Sequence, residues 1–256
     1  MGDWRLGIGL ISDLQSQPCE QFVPMTHPYL LPLLAQFTQH ADPAQAAPMA
    51  AYMRDQFPFL GIKSPQRAEL TRHFVAAHGL PPLDALETVA LDLWELPERE
   101  YQYAAMDLLW RRRRSWQPEM MNLLVQLITT KSWWDTVDLL AGRQVGELFL
   151  RFPEAKGVWN GRLRQSDNIW LRRTALLFQL HYKRKTDADL LFATVRENLG
   201  SDEFFINKAI GWALREYSKT DAAAVTAFVA ATNLHPLSER EALKWLRGRG
   251  MVGEDT

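Results

Sequence analysis

The sequence predicts an all-α, right-handed HEAT-like helical-repeat solenoid, an α–α superhelix, on three observations. Apolar residues recur at intervals of three and four along nearly the whole chain, with no long alternating run. Glycine is scarce, at 14 of 256 residues. Helix-start signals return at a near-constant interval, at Ser64, Pro97, Ser132, Ser166, Ser201 and Ser238, with spacings of 33, 35, 34, 35 and 37 residues. Helical pairs repeat in this way when each pair can bury its apolar stripe only against its neighbours. The period is close to that of tetratricopeptide repeats, but their Trp-Leu-Gly-Tyr pattern is missing, so a HEAT-like array is the better reading.

Taken in order, residues 1–24 form an N-terminal extension, which we expect to be disordered or a mis-assigned start. Residues 25–250 form a single repeat domain, and 251–256 a C-terminal tail. Asp42-Pro43 and Ser64-Pro65 read as an N-cap followed by proline at the first helical position, where the missing N–H costs nothing. Thr220-Asp221 and Ser238-Glu239 supply further caps, and Gly79, Gly200 and Gly250 mark helix ends. Two repeats read as Asn168 to Tyr182 with Asp187 to Leu199, and Glu203 to Lys219 with Asp221 to Ala231; the chain as a whole should hold twelve or thirteen helices.

Composition excludes several classes. Glycine and proline, 14 each, are far too few for a low-complexity or fibrous chain. Cys19 is the sole cysteine, so no internal disulfide or thiolate metal site is expected, and a reducing, cytoplasmic setting fits best. No apolar run reaches the 18 or so residues of a spanning helix, so no membrane partner is expected. The net charge of −1 hides a gradient: residues 1–100 carry −6, residues 101–219 carry +6 and the remainder −1. Arg111 to Arg114, Arg172-Arg173 and Lys183-Arg184-Lys185 lie in the basic part. Any one such run is more often a solvated helix face, so the arrangement has to decide.

Setting Ser132, Ser166 and Ser201 in register decides it in part. The first helix places Trp134 and Asp138 one turn apart on one face. The second carries Arg173, three residues after Trp170. The third carries Lys208, Trp212, Arg215 and Lys219 on one stripe. Cations around an aromatic ring make poor core, because a buried cation needs a partner, but they suit a phosphate backbone with a flat ring between charges. Against this, a tryptophan at helical spacing is commonly core, and a carboxylate near a helix start commonly complements the helix dipole. That explanation suits Asp135 better than Asp138, which lies a turn further on. Trp133 and Trp134 can divide the roles, one ring inward and one outward. Lys131, beside them, reads as a surface residue at a helix start, with a Schiff-base amine as the rarer alternative. Six scattered histidines lack metal-ligand spacing, and no phosphate loop, dinucleotide fingerprint or nucleophile elbow occurs, so neither metal nor cofactor is expected.

Three segments carry a resemblance. Lys131-Ser-Trp-Trp-Asp-Thr-Val-Asp138, Ser166-Asp-Asn-Ile-Trp-Leu-Arg-Arg173 and Phe204-Phe-Ile-Asn-Lys-Ala-Ile-Gly-Trp-Ala-Leu-Arg-Glu-Tyr217 are similar to the AlkD-type bacterial alkylpurine DNA glycosylases. So are Pro48 to Met53, Phe59 to Ile62 and Leu93 to Glu100, and the likeness covers roughly residues 25–250. The resemblance implies a concave DNA-binding face and a monomeric enzyme whose partner is duplex DNA containing alkylated purines, with no obligate protein partner. It implies that Asp138 is the catalytic carboxylate and that Trp134 and Trp212 flank the lesion's deoxyribose. It further implies DNA contacts at Arg173, Arg215 and Tyr52, and Lys208 joins them from its place on the same stripe. Lys63, which stands where the family carries glutamine, is counted with these DNA-binding candidates. A peptide-binding scaffold and a non-catalytic damage binder are the competing readings; the acidic first hundred residues favour the scaffold.

Overall fold

The protein is described by a computed structural model over residues 26–253; the expected extension at residues 1–24 and the end of the C-terminal tail lie outside the described residues. Among the described residues there are fourteen α-helices and no strand. A 3₁₀ turn leads into α1 (Leu31–Gln39), followed by α2 (Pro43–Tyr52), α3 (Ser64–His78), α4 (Leu86–Glu95), α5 (Arg99–Arg111) and α6 (Met120–Thr129). Next, α7 (Trp134–Leu139) runs through a π-helical turn (Leu140–Val145) straight into α8 (Gly146–Arg151). The remaining helices are α9 (Pro153–Arg164), α10 (Ile169–Leu177), α11 (Ala188–Glu197), α12 (Phe204–Ser218), α13 (Ala222–Ala230) and α14 (Pro236–Arg247).

The repeat is more regular than the start signals suggested. Helices α3, α5, α7, α10 and α12 begin at residues 64, 99, 134, 169 and 204, a constant interval of 35, consistent with a helical repeat. The signals are offset because the serines mostly lie two or three residues ahead of the helix. Asp42 and Asp221 cap as expected, accepting from the Ala44 and Ala224 amides. Two expected caps are corrected. Ser64 is already the first helical residue, after Lys63. At α14, Pro236 starts the helix early and His235 accepts from the Leu237 amide, which places Ser238 inside the first turn, buried, donating to the Asn207 carbonyl. Two ends also differ: α10 stops at Leu177 rather than Tyr182, and α14 stops at Arg247, ahead of Gly250. Asn160-Gly161, a dipeptide typical of hairpin turns, lies within α9.

Two apolar cores meet on α10. Its Ala175, with Phe178 just beyond its end, belongs to the core built from α1 and α3 to α9, whereas Leu176 and Leu177 belong to the core shared with α11 to α14. Neighbouring residues can serve opposite cores because a helix turns about 100° per residue, so α10 is shared between the two cores. Fully burying a side chain such as Leu93, Leu109 or Leu214 contributes about 1.5–3 kcal/mol.

Two buried polar links fix the register between early repeats. Glu100 is fully buried, and its carboxylate accepts from the Leu60, Gly61 and Ile62 amides at 2.9, 2.9 and 3.0 Å. It thereby holds the loop leading into α3. Gly61 in that loop has φ +89°, and a Cβ there would meet the Asp42 carbonyl at 2.0 Å, so only glycine fits. Arg99, also fully buried, donates through Nε and Nη2 to Asp135 at 2.9 and 2.7 Å, through Nη1 to the Lys131 carbonyl at 2.9 Å, and to the Thr136 hydroxyl at 2.8 Å. Asp135, which the sequence suggested as a dipole-complementing residue, is therefore one half of a buried cross-repeat ion pair.

At the C-terminal end, α12 and α14 approach closely over Gly211. An added Cβ would lie 2.5 Å from the Glu241 Cβ and 2.8 Å from the Ser238 carbonyl. Gly211→Ala is therefore expected to destabilise the fold by about 1–3 kcal/mol, as overpacking does. A urea midpoint equal to that of the wild type would contradict this packing.

Candidate active site and nucleic-acid interface

The site starts at the N-terminal end of α7. Trp133 turns inward onto Trp170 and Phe205, with ring centroids 6.0 and 5.1 Å away. That anchoring leaves Trp134 facing outward, and Asp138, one turn on, shares its face. The backbone becomes π-helical two residues after Asp138, a widening of the helix often found at functional sites.

Asp138 is held by the next repeat. Arg173 on α10 grips it in a fork, Nε to Oδ1 at 2.6 Å and Nη2 to Oδ2 at 2.8 Å, while Nη1 donates to the Phe205 carbonyl. The Arg173 side chain is 5% exposed and that of Asp138 14%. Arg173, expected as a DNA contact, is here the partner of Asp138. Burial pushes the Asp138 carboxyl above the usual carboxylate range; the Arg173 hydrogen bond and charge pull it back only in part.

The third wall is α12. Trp212, Lys208 and Arg215 complete an open cleft of about 330 Å³ with Trp134, Asp138 and Arg173. The spacing of the stripe on α12 thus brings its first three members to the cleft. Lys219, the fourth, lies outside it and pairs with Glu216 at 2.5 Å. Three further lining residues were not singled out from the sequence: Phe204, 54% exposed, Phe205, and Glu241 from α14. Glu241 accepts from Lys208 at 2.9 Å and from Arg215 at 2.8 Å, and the Lys208 hydrogen bond is the leading cause that holds its carboxyl below the usual range. Nothing in the local sequence of α14 signals that its carboxylate reaches two cations on α12.

Tyr52 and Lys63 are placed elsewhere. They line a second cleft of about 520 Å³ on the other side of Trp134, where the 72%-exposed Tyr52 meets the Trp134 ring edge-on at 5.9 Å. Trp134 is the wall common to both clefts. Lys131, with φ +48°, donates from Nζ to the Glu95 and Leu96 carbonyls at 2.7 and 2.8 Å. It ties down the end of α4 and lines neither cleft. Among the described residues no group of three or more His, Cys, Asp or Glu side chains could hold a metal ion, and no helix is long and apolar enough to cross a membrane.

A family model described as DNA alkylation repair enzyme matches residues 33–246, and the chain belongs to that family. The structure is similar to a solved one described as a predicted DNA alkylation repair enzyme from Enterococcus faecalis, at 34% sequence identity and a TM-score of 0.76, covering 80% of this chain and 96% of that one. Among curated proteins no match is found.

The position of Asp138 has a consequence for pH. A carboxyl whose pKa is raised on folding binds its proton more tightly folded than unfolded. Its stabilising contribution is complete below the unfolded pKa and is lost as pH rises through the folded one. At neutral pH an ionised Asp138 therefore costs stability. Any activity that needs the carboxylate should fall on acidification at a pH above the ordinary aspartate value of about 3.9. Arg173→Met removes the charge that opposes the shift, so the acid limb of single-turnover rates should move to still higher pH. A limb that stays in place would show that Arg173 does not control Asp138.

Proposed function

We propose that the protein is a monofunctional DNA glycosylase that hydrolyses the N-glycosidic bond of cationic N3- and N7-alkylated purines in duplex DNA, beginning base excision repair. In this reading the stacked repeats form a solenoid whose concave face takes the duplex. The observation that carries it is Asp138, fixed by the Arg173 fork at the edge of a cleft bounded by Trp134 and Trp212. A scaffold or a passive damage binder would use the cations and rings but has no need of a clamped carboxylate among them.

Alkylation at N3 or N7 places positive charge on the purine, which then departs as a neutral leaving group with little need of acid catalysis. Positive charge moves to the sugar as the bond breaks, as in glycoside hydrolysis. Asp138, ionised and pre-aimed, stabilises that charge and orients the attacking water. Arg173 spares it the reorganisation that a mobile carboxylate would undergo in the transition state. Trp134 and Trp212 contribute cation–π attraction to lesion and sugar, about 0.5–2 kcal/mol each.

The cleft is an open trough with charged and flat walls, unlike the closed pocket that reads an extruded base. The base therefore leaves without being flipped, and selectivity rests on its charge. On matched duplexes, 7-methylguanine and a bulkier cationic N3- or N7-purine adduct should both be released, and hypoxanthine should not. Efficient hypoxanthine excision, or rejection of the bulky adduct, would point to a shaped pocket and sink the mechanism.

A further inference from the structure

The second cleft, on the α2–α3 side of Trp134, contains a cation that the reaction above does not use. Arg67 of α3 lines it, with Tyr52, Lys63 and Tyr103. Its guanidinium sits over the Tyr103 ring, 4.2 Å from the centroid, and among the described residues its only hydrogen bond is a long one of 3.4 Å to the Ser64 hydroxyl. No carboxylate pairs with it among the described residues. Asp135 lines the same cleft, yet its oxygens are already taken, Oδ1 by Arg99 and Oδ2 by Arg99 and the Tyr103 hydroxyl at 2.5 Å. A half-buried cation with no directly paired carboxylate is unfavourable: burial pulls the Arg67 pKa down, and the more distant charges of Glu100, Asp107 and Asp135 offset this only in part.

The surroundings nevertheless hold this cation in place. Arg99 fixes Asp135, Asp135 fixes the Tyr103 hydroxyl, and the Tyr103 ring lies under the Arg67 guanidinium. A rigid guanidinium fork with free N–H groups matches a phosphate oxygen pair. The wall around it is apolar, from Met49, Met53 and Tyr52, which suits a sugar face, and the exposed Lys63 adds a second cation. We propose that this cleft is a phosphodiester-binding subsite with Arg67 as its principal anion ligand. It holds the DNA backbone next to the nucleotide at Asp138, with Trp134 as the partition between the two. The choice of DNA as the ligand rests on the function proposed above.

The test uses undamaged duplex DNA as the probe, in two measurements. In fluorescence anisotropy over a salt series, Arg67→Gln should bind about tenfold more weakly than wild type. Its log–log salt slope should be shallower by about 0.9, the loss of one phosphate contact. Arg67→Lys should restore the slope with part of the affinity. The second measurement needs no variant: in the wild-type protein, saturating duplex should protect Arg67 from an arginine-selective dicarbonyl reagent, read by peptide mass spectrometry. Wild-type affinity and slope in a folded Arg67→Gln protein, or an unprotected Arg67, would overturn the subsite. If the wild-type protein binds duplex through Arg67 but releases no alkylpurine, the glycosylase reading fails and the subsite stands. If alkylpurine is released while the Arg67 variants bind normally, the reverse holds.

Discussion

Asp138→Asn is expected to slow single-turnover release of 7-methylguanine by about 10²–10³-fold, the usual effect of removing one pre-aimed electrostatic group. DNA affinity should stay within a few-fold of wild type, because the charge is needed where the sugar becomes cationic and much less in the ground state. The substitution is nearly isosteric, and its oxygen can still accept one of the two bonds Arg173 makes to Asp138 now. A thermal melt alongside the rate measurement separates lost chemistry from lost fold. Release at the wild-type rate by a folded Asp138→Asn protein would remove Asp138 from the mechanism.

The largest effect on stability is expected at Arg99, which lies outside the Asp138 cleft. Arg99→Met leaves Asp135 buried with only the Tyr103 hydroxyl, and deprives the Lys131 carbonyl and the Thr136 hydroxyl of a donor. Breaking a buried pair from one side costs about 3–5 kcal/mol, because the remaining charge is uncompensated. Urea denaturation should show that loss. Asp135 immediately follows Trp134, so the start of α7 should loosen as well, and activity should fall before the protein unfolds. A change below about 1 kcal/mol would mean that water takes over the role of Arg99, as at a surface ion pair.

These two residues show where the sequence was informative. The Trp134–Asp138 spacing fixes a common helical face, and a period near 35 brings Arg173 and the Lys208–Trp212–Arg215 stripe alongside it, so the makeup of the cleft was readable. Depth was not. Helical spacing tells which residues share a face, and nothing in it distinguishes a solvent-facing arginine from one buried against a carboxylate of the preceding repeat. Spacing therefore showed neither that Arg173 is the partner of Asp138 nor that Asp135, read as a dipole partner, is the partner of Arg99. Glu241 and Phe204 were missed for a related reason. Each sits at the cleft because of how two helices pack, and the close approach of α12 and α14 over Gly211 has no counterpart in local periodicity. The helix starts show the opposite case: the serines marked the period, but proline decided where α14 begins.

The central claim is that the Asp138 cleft breaks a glycosidic bond. It is tested most directly by incubating the wild-type protein, in excess, with duplex DNA carrying a single 7-methylguanine. The account predicts free 7-methylguanine together with an equal yield of alkali-labile abasic sites, and no protein–DNA adduct trapped by borohydride. Tight binding of the methylated duplex with the base still attached would contradict it and leave a damage-binding protein in place of an enzyme.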